Sequence, residues 1–330
     1  MLLSLALGTA LSATVALAGT AREAEATFPG TNARIAFDSY RTTGTGVDNP
    51  TGDSEIFTIK PDGTGLKQIT HNTTDDVAPV FSPDGTKIAY DSVGDPISNP
   101  QGDFEIYLVN ASDGSGQKNL TNNGDGVDDF EPVFSPNGQW IAYQSLGVQN
   151  SNLEGDWEVY IMHAAEGSEN TNMTNNDLGV DDRYPIFSPD GQQIAYRSYG
   201  TQDSNPEGDR EIYRMSAEGS GSVHTNLTNN GADVDDRYPS YSPGGAKIVY
   251  DSVGKQTSNS QGDYEVYSMN AADGSGKKNL SNNGSGVYDE FPDWGRRCRD
   301  NAATAAGHST GQRSRARPAA DRRQQRGGPG

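Results

Sequence analysis

From residue 34 onward the chain alternates short apolar runs with polar, turn-rich links, at a nearly constant period. A tight-turn segment reads FSPDG at 81, FSPNG at 134, FSPDG at 187 and YSPGG at 241, in steps of 53, 53 and 54 residues. Around it fall RIAF at 34, KIAY at 87, WIAY at 140, QIAY at 193 and KIVY at 247. Then come GDSEIF at 52, GDFEIY at 102, GDWEVY at 155, GDREIY at 208 and GDYEVY at 262. Each unit closes on QIT at 68, NLTNN at 119, NMTNN at 172, NLTNN at 226 or NLSNN at 279. Every unit thus offers four β-prone runs and no helical periodicity. They are labelled a (PVFS), b (IAY), c (EIY) and d (NLT).

The a-to-b link is Ser-Pro-Asp-Gly. Proline presets φ at the second turn position and glycine suits the fourth, so a type I turn joins two antiparallel strands. The c-to-d link also centres on Asp-Gly. Strand b is apolar at consecutive positions, as in Ile88, Ala89 and Tyr90, which suits a strand covered on both faces. Four-stranded antiparallel units repeating at this length predict an all-β fold, a β-propeller. The chain enters at strand b (Arg34 to Phe37) and ends its pattern on YDEFPDWG at 288–295, where Pro292 matches Pro79, Pro132, Pro185 and Pro239. Residues 21–29 match strand a poorly. The expectation is five four-stranded blades, closed when the C-terminal strand a pairs with the first blade and leaves no free edge. The alternative, six blades, needs one more unit.

The stretch FSPDGTKIAYDS…EIYLVNASDGSGQKNLT resembles the TolB-type propeller repeat, also called the WD-like or PD repeat. The resemblance covers residues 33–295. It implies a propeller fold and either a protein-binding scaffold or the gating domain of an oligopeptidase. TolB itself resembles an α/β domain followed by a propeller, for which this chain has no room, so the Tol–Pal role is not carried over. The repeat is also longer than the family's usual length of about 40 residues. The extra residues fall in the b-to-c links (DSVGDPISNPQGDFE) and the d-to-a links (TNNGDGVDDFEP), which emerge on one face because strands alternate direction. Long loops on one face of a rigid frame are where binding resides.

Charge sharpens this. The chain has 330 residues, 32% of them apolar, with 40 glycines, a net charge of −20 and a pI near 4.4. Such a surface repels nucleic acid and anionic membrane and attracts cations or basic proteins. Residues 296–330 carry nine Arg and two Asp, a basic tail that reads as disordered and leaves −27 on the remainder. MLLSLALGTALSATVALAG, with ALA at 16–18 and a second small-residue site at 24–26, reads as a secretory signal over 1–26, too short and too Ala/Gly-rich to span a membrane. It lacks a basic leading segment, so the true start is expected upstream. Export to the periplasm or the extracellular space follows. The propeller itself is assigned to 27–295. Cys298, the sole cysteine, excludes an internal disulfide.

Each d-to-a link leads into an inner strand through an acid pair: Asp75 and Asp76, Asp128 and Asp129, Asp181 and Asp182, Asp235 and Asp236, with Asp289 and Glu290 last. The ring is expected to place these ten carboxylates around one channel mouth. At about 8 Å and an effective dielectric near 40, two such charges repel by roughly 1 kcal/mol, which calls for cations, a basic partner or raised pKa values. Calcium suits Asp125, Asp128 and Asp129 in NNGDGVDD, and Asp181, Asp182, Asp235 and Asp236 in the sister loops, because it takes six to eight oxygens from carboxylates and amides. The competing explanation is that Asn-Asn-Gly and Asp-Asp are turn formers and solubilising groups. Asp75, Asp76, Arg183, Arg237, Asp289 and Glu290 are the candidate partner-binding residues, although charge balance also explains the two arginines.

No catalytic motif stands up. GHSTG at 307–311 lies in the tail, without the strand that holds a nucleophile elbow. His71, His163, His224 and His308 have no metal-ligand spacing, and there is no phosphate loop. The sequence therefore predicts an exported, monomeric, non-enzymatic scaffold that binds a basic protein or peptide through its acidic long-loop face, with calcium as a candidate cation. The alternative is a propeller that binds or cleaves glycans with channel carboxylates, with Trp140, Trp157 and Trp294 as sugar platforms or as core residues.

Overall fold

The computed structural model describes residues 34–294, apart from 95–98, 150–151, 177, 203, 220–222 and 257. The expected signal segment, the basic tail, Cys298 and GHSTG lie outside the described residues.

Every element is a β-strand. The first sheet holds β1 (Ile35–Ser39), β2 (Glu55–Ile59) and β3 (Lys67–Gln68). The second holds β4 (Asp76–Phe81), β5 (Lys87–Ser92), β6 (Glu105–Asn110) and β7 (Lys118–Asn119). The third holds β8 (Asp128–Phe134), β9 (Trp140–Leu146), β10 (Trp157–His163) and β11 (Thr171–Asn172). The fourth holds β12 (Asp181–Phe187), β13 (Gln193–Tyr199), β14 (Arg210–Ser216) and β15 (Thr225–Asn226). The fifth holds β16 (Asp235–Tyr241), β17 (Lys247–Val253), β18 (Glu265–Asn270) and β19 (Lys278–Asn279). Strands pair antiparallel in sequence order, so each sheet is a propeller blade of strands a to d, and the first lacks its inner strand as expected. The a-to-b turn closes where Gly85 N–H donates to Ser82 O at 2.8 Å.

Blades stack through strands b and c. Ile88, Ala89, Tyr90, Ile141, Ala142 and Tyr143 are all buried, on both sides of their sheets. One core cluster joins Ala89 and Ile106 of the second blade to Tyr143 and Met162 of the third, and equivalent clusters fill the other junctions. At the rim the approach is close enough to demand glycine. A Cβ on Gly167, in the third blade's c-to-d turn, would sit 2.0 Å from the carbonyl oxygen of Leu120 in the second blade. The inner strands β4, β8, β12 and β16 meet one another in succession, whereas the outermost strands reach the next blade through lysine side chains, Lys67 to Ser112 O and Lys118 to Ala165 O.

Among the described residues β1 pairs only with β2, and no contact joins β1–β3 to β16–β19. Residues 288–293 instead run along the fifth blade. Asp289 N–H donates to Tyr264 O at 3.0 Å and Ser240 Oγ donates to Asp293 at 2.9 Å. This stretch lies where an inner strand would, against the preceding blade, since Asp289 N–H meets Tyr264 O as Asp129 N–H meets Phe104 O.

Candidate functional site: the long-loop face and the inner bulges

The b-to-c and d-to-a links do share one face. Gly147, opening a b-to-c link, would place a Cβ 2.4 Å from Gly126 O in its own blade's d-to-a link, and Gly200 and Gly254 repeat this. In the fifth blade the two links bound a depression of about 440 Å³ lined by Asp233, Lys255 and Gln261.

One polar frame holds these loops in every blade. An asparagine in each b-to-c link (Asn49, Asn99, Asn152, Asn205, Asn259) is buried. Asn152 Nδ2 donates to Asp156 O at 2.7 Å and its Oδ1 accepts from Gly155 N–H at 2.8 Å, and the other four repeat both bonds. The first acid of the pair then ties the d-to-a link to strand c. Asp128 accepts from Phe104 N–H at 2.9 Å, as Asp75 does from Ser54 and Asp235 from Arg210. Asp181 stands 3.5 Å from Trp157 N and pairs with Arg183 at 3.0 Å.

The second acid is fully buried. Asp129 accepts from Asn123 Nδ2 at 2.5 Å, and Asp76, Asp182 and Asp236 take the same bond from Asn72, Asn176 and Asn230. Beside it lies the strand-c glutamate. Glu105 accepts from Thr121 Oγ1 and from Asn123 N–H, and the threonine oxygen in turn accepts from Ile106 N–H at 3.0 Å. Burial raises these carboxyls, with like charges adding to it: Glu55 and Glu158 to about 8, Asp76, Glu105, Asp182 and Glu211 to about 7. Asp129 and Asp236 rise well above the ordinary carboxylate range for the same reasons.

Of the ten carboxylates expected around one channel mouth, Asp75, Asp128 and Asp235 accept from backbone N–H groups of the preceding blade, and Asp76, Asp129, Asp182 and Asp236 are buried. The calcium sets also separate. Asp125 is exposed, Asp128 is engaged with strand c, and Asp129 faces inward. No group of three or more His, Cys, Asp or Glu side chains among the described residues is placed to hold a metal. The last pair shifts by one residue. Asn283 donates to Asp289, so Asp289, here only half-buried, takes the second acid's place and Tyr288 the first's. Glu290 belongs to the next row inward, where it pairs with Arg237 at 3.1 Å.

That inner row is where blades differ. Each inner strand carries a bulge whose residue has positive φ: Ala78, Glu131, Tyr184, Tyr238 and, in the final stretch, Phe291. The preceding blade's strand b meets the bulge amide with a side chain. Glu131 N–H donates to Asp91, Tyr184 N–H to Gln144 at 3.0 Å, and Phe291 N–H to Asp251 at 3.3 Å. Asp38 does the same for Ala78, and the remaining junction has Arg197. Arg183 lies over Trp157 at 4.1 Å, and Arg237 over Tyr264 at 4.0 Å while bonded to Asp251 at 3.3 Å. Both arginines therefore balance charge at blade junctions. Trp140 stacks on His163 at 4.1 Å and Trp157 is buried, so neither is an open sugar platform.

Known proteins enter at this point. No family model matches the chain. It is 29% identical over 154 residues to the protein TolB homolog of Chlorobium luteolum, covering 46% of this chain and 30% of that one. It is 27% identical over 172 residues to protein Atu1656 of Agrobacterium fabrum, covering 52% of each. In structure it is similar to TolB from Acinetobacter baumannii, with a TM-score of 0.51 at 23% identity over 75% of this chain and 52% of that one. The chain carries a TolB-like β-propeller. The match spans 30% of the Chlorobium relative's length and 52% of the Agrobacterium one's. An oligogalacturonate lyase shares the fold alone, with a TM-score of 0.50 at 13% identity over 69% of this chain and 59% of that one.

Two features of this TolB-like propeller escaped the sequence reading. The pinning asparagine was legible as Asn-x-x-Gly-Asp, repeated five times. The bulge row was legible as the residue before each inner-strand proline, where four kinds of side chain over five positions break an otherwise faithful repeat. No described helix is long and apolar enough to cross a membrane.

Proposed function

We propose that this TolB-like propeller is an exported scaffold that binds a protein or peptide of basic surface through its long-loop face. One observation carries the reading. Among the described residues, seven of the nine exposed large apolar side chains lie in the long links or at their edge: Tyr40, Val148, Leu153, Leu178, Tyr199, Val287 and Tyr288. Scattered exposed apolar groups are ordinary, but confinement to one face marks an interaction surface. The same links expose Asp48, Asp125, Glu154, Glu207 and Asp233, so the apolar groups are rimmed by negative charge. A rim of this sign favours basic partners and speeds their encounter. The rigid frame beneath holds the loops ready for binding, which lowers the ordering cost of association. Calcium is not needed for this reading, since the asparagine bonds and the first acids already hold the loops.

The test is a peptide array probed with the full chain at low and high salt. Lys/Arg-containing apolar peptides should be selected, salt should weaken them, and Val148→Ser with Leu153→Ser should lower their signal at least tenfold. Selection of acidic or neutral peptides, untouched by both changes, would end the proposal. A second reading, glycan binding or cleavage, has one observation in its favour. Glu131 is the only acid among the five bulge residues, and it lies against Asp91 of the preceding blade. Turnover of an acidic or neutral oligosaccharide that is lost in Glu131→Gln would support it.

A further inference from the structure

The junction between the fourth and fifth blades breaks a rule that the others keep. Asp38, Asp91, Gln144 and Asp251 each offer an oxygen to the bulge amide of the next blade. Arg197 occupies the same strand-b position and has only donors to offer. The bulge amide it faces is that of Tyr238. Two sets of donors therefore converge where the other junctions have a donor and an acceptor.

Arg197 is 7% exposed, and among the described ion pairs none involves it. Its Nε has no hydrogen-bond partner. The guanidinium lies 4.9 Å from the Tyr184 ring centre, its one described contact of charge with an aromatic face. Burial, with Arg183 and Arg210 adding to it, lowers its pKa only to about 10, so it remains a cation at neutral pH. The nearby carboxylates are engaged elsewhere: Asp181 with Arg183, Asp235 with Arg210, and Asp251 and Glu290 with Arg237. A buried, unpaired charge is strongly unfavourable and calls for a counter-ion.

The surroundings supply more than charge. Tyr184 and Tyr238 pack at 4.8 Å between ring centres, and Tyr238 and Phe291 at 4.4 Å. All three are half-buried, so a continuous aromatic shelf crosses the inner strands beside the guanidinium. We infer that this junction is a binding site for a small carboxylate on a ring-shaped body, the carboxylate taken by Arg197 and the Tyr238 amide, the ring resting on Tyr184 and Tyr238. Arginine grips a carboxylate through its planar fork, and an aromatic face accepts either an aromatic ring or the apolar face of a sugar. The inference stands apart from the long-loop reading, because it uses a different place on the propeller.

The test uses the full chain with sodium benzoate and sodium glucuronate as probes, benzamide and glucose as their uncharged counterparts, and acetate as the carboxylate without a ring. Calorimetry should show binding of at least one ring acid, tighter than acetate and at least tenfold tighter than the matching neutral compound. Which acid binds decides between an aromatic and a sugar source. Arg197→Gln installs the residue that the third blade already uses, so it should fold with an unfolding midpoint no lower than the parent and bind the acid at least tenfold more weakly. Tyr184→Leu should reduce the ring acid to the level of acetate, which provides a readout should Arg197→Gln fail to fold. The inference is overturned if neither ring acid binds, if neutral compounds bind as well, or if Arg197→Gln or Tyr184→Leu binds like the parent.

Discussion

The loop frame and the inner bulges of the same blades follow opposite rules. In the frame, Asn, Asp, Thr and Glu recur with the same bonds in blade after blade. In the bulge row, Ala78, Glu131, Tyr184, Tyr238 and Phe291 differ, although their backbones share one left-handed conformation. Uniformity marks residues whose partners recur in kind, as when Asp75, Asp128 and Asp235 each meet a strand-c backbone amide of the preceding blade. Variety marks residues whose partners across the junction change in chemistry, as Asp91, Gln144, Arg197 and Asp251 do. The acid pairs of the sequence belong to the first class, which is why they are poor candidates for a binding site despite their charge.

The broadest way to break this comparison is pH. The frame carboxyls have folded pKa values raised to about 7 or 8 at Glu55, Asp76, Glu105, Glu158, Asp182 and Glu211. Below the ordinary carboxyl range they are protonated in both states and impose no penalty. As pH rises from about 4 to 8 the unfolded chain ionises first, so stability must fall across that window. Each tenfold rise in proton affinity is worth about 1.4 kcal/mol, so six groups together outweigh any single substitution. The urea midpoint should drop steadily between pH 5 and pH 8. Asp62, Asp84, Asp113 and Asp273 shift the other way, held low by hydroxyl and amide donors, and their effect ends below this window. Self-repulsion at a net charge of −20 also weakens the fold as pH rises, so Glu158→Gln is the discriminating variant. It should flatten the slope. A midpoint that is level or climbs from pH 5 to 8 would remove the buried-acid account.

A single substitution tests whether repetition reflects blade-to-blade contact. Gly167 has φ of +68° and backbone of the second blade against it, whereas Gly126 has φ of +80° and nothing within 4 Å. Gly167→Ala combines a left-handed backbone with a collision and should lose about 3 kcal/mol. Gly126→Ala carries the backbone term alone, about 1 kcal/mol. Equal losses in urea unfolding would mean that the c-to-d turns do not lock neighbouring blades.

The difference between the regions also explains what could be read in the sequence. Strands b and c were legible because Ile-Ala-Tyr and Glu-Ile-Tyr are apolar where both faces are covered, and Ser-Pro-Asp-Gly has one good turn geometry. The role of each acid was not. Asp128 and Asp129 are adjacent and chemically identical, yet strand alternation sends one to a backbone amide and the other into the blade. The spacing to Pro292 already placed Tyr288 and Asp289, rather than Asp289 and Glu290, as the last such pair, and the bond from Asn283 to Asp289 agrees. Arg197 was silent for a different reason. Its significance comes from the acceptors at Asp91, Gln144 and Asp251, which are side chains of similar reach and unlike chemistry.

The smallest expected effect sharpens the line between frame and surface. Asp125 is exposed, outside the frame, and one of the residues the sequence nominated for calcium. Asp125→Asn should move stability by less than about 0.5 kcal/mol, as surface changes away from structural features do. Millimolar calcium should shift the parent's unfolding midpoint no more than magnesium does, because the neighbouring Asp128 is committed to Phe104 N–H and Asp129 is turned into the blade. The same substitution should weaken basic peptides measurably at low salt and not at high salt, where exposed charges are screened. A saturable rise with calcium alone, abolished by Asp125→Asn, would mean that the loop can trade its internal bonds for a metal, and the frame would then be a switch instead of a fixed support.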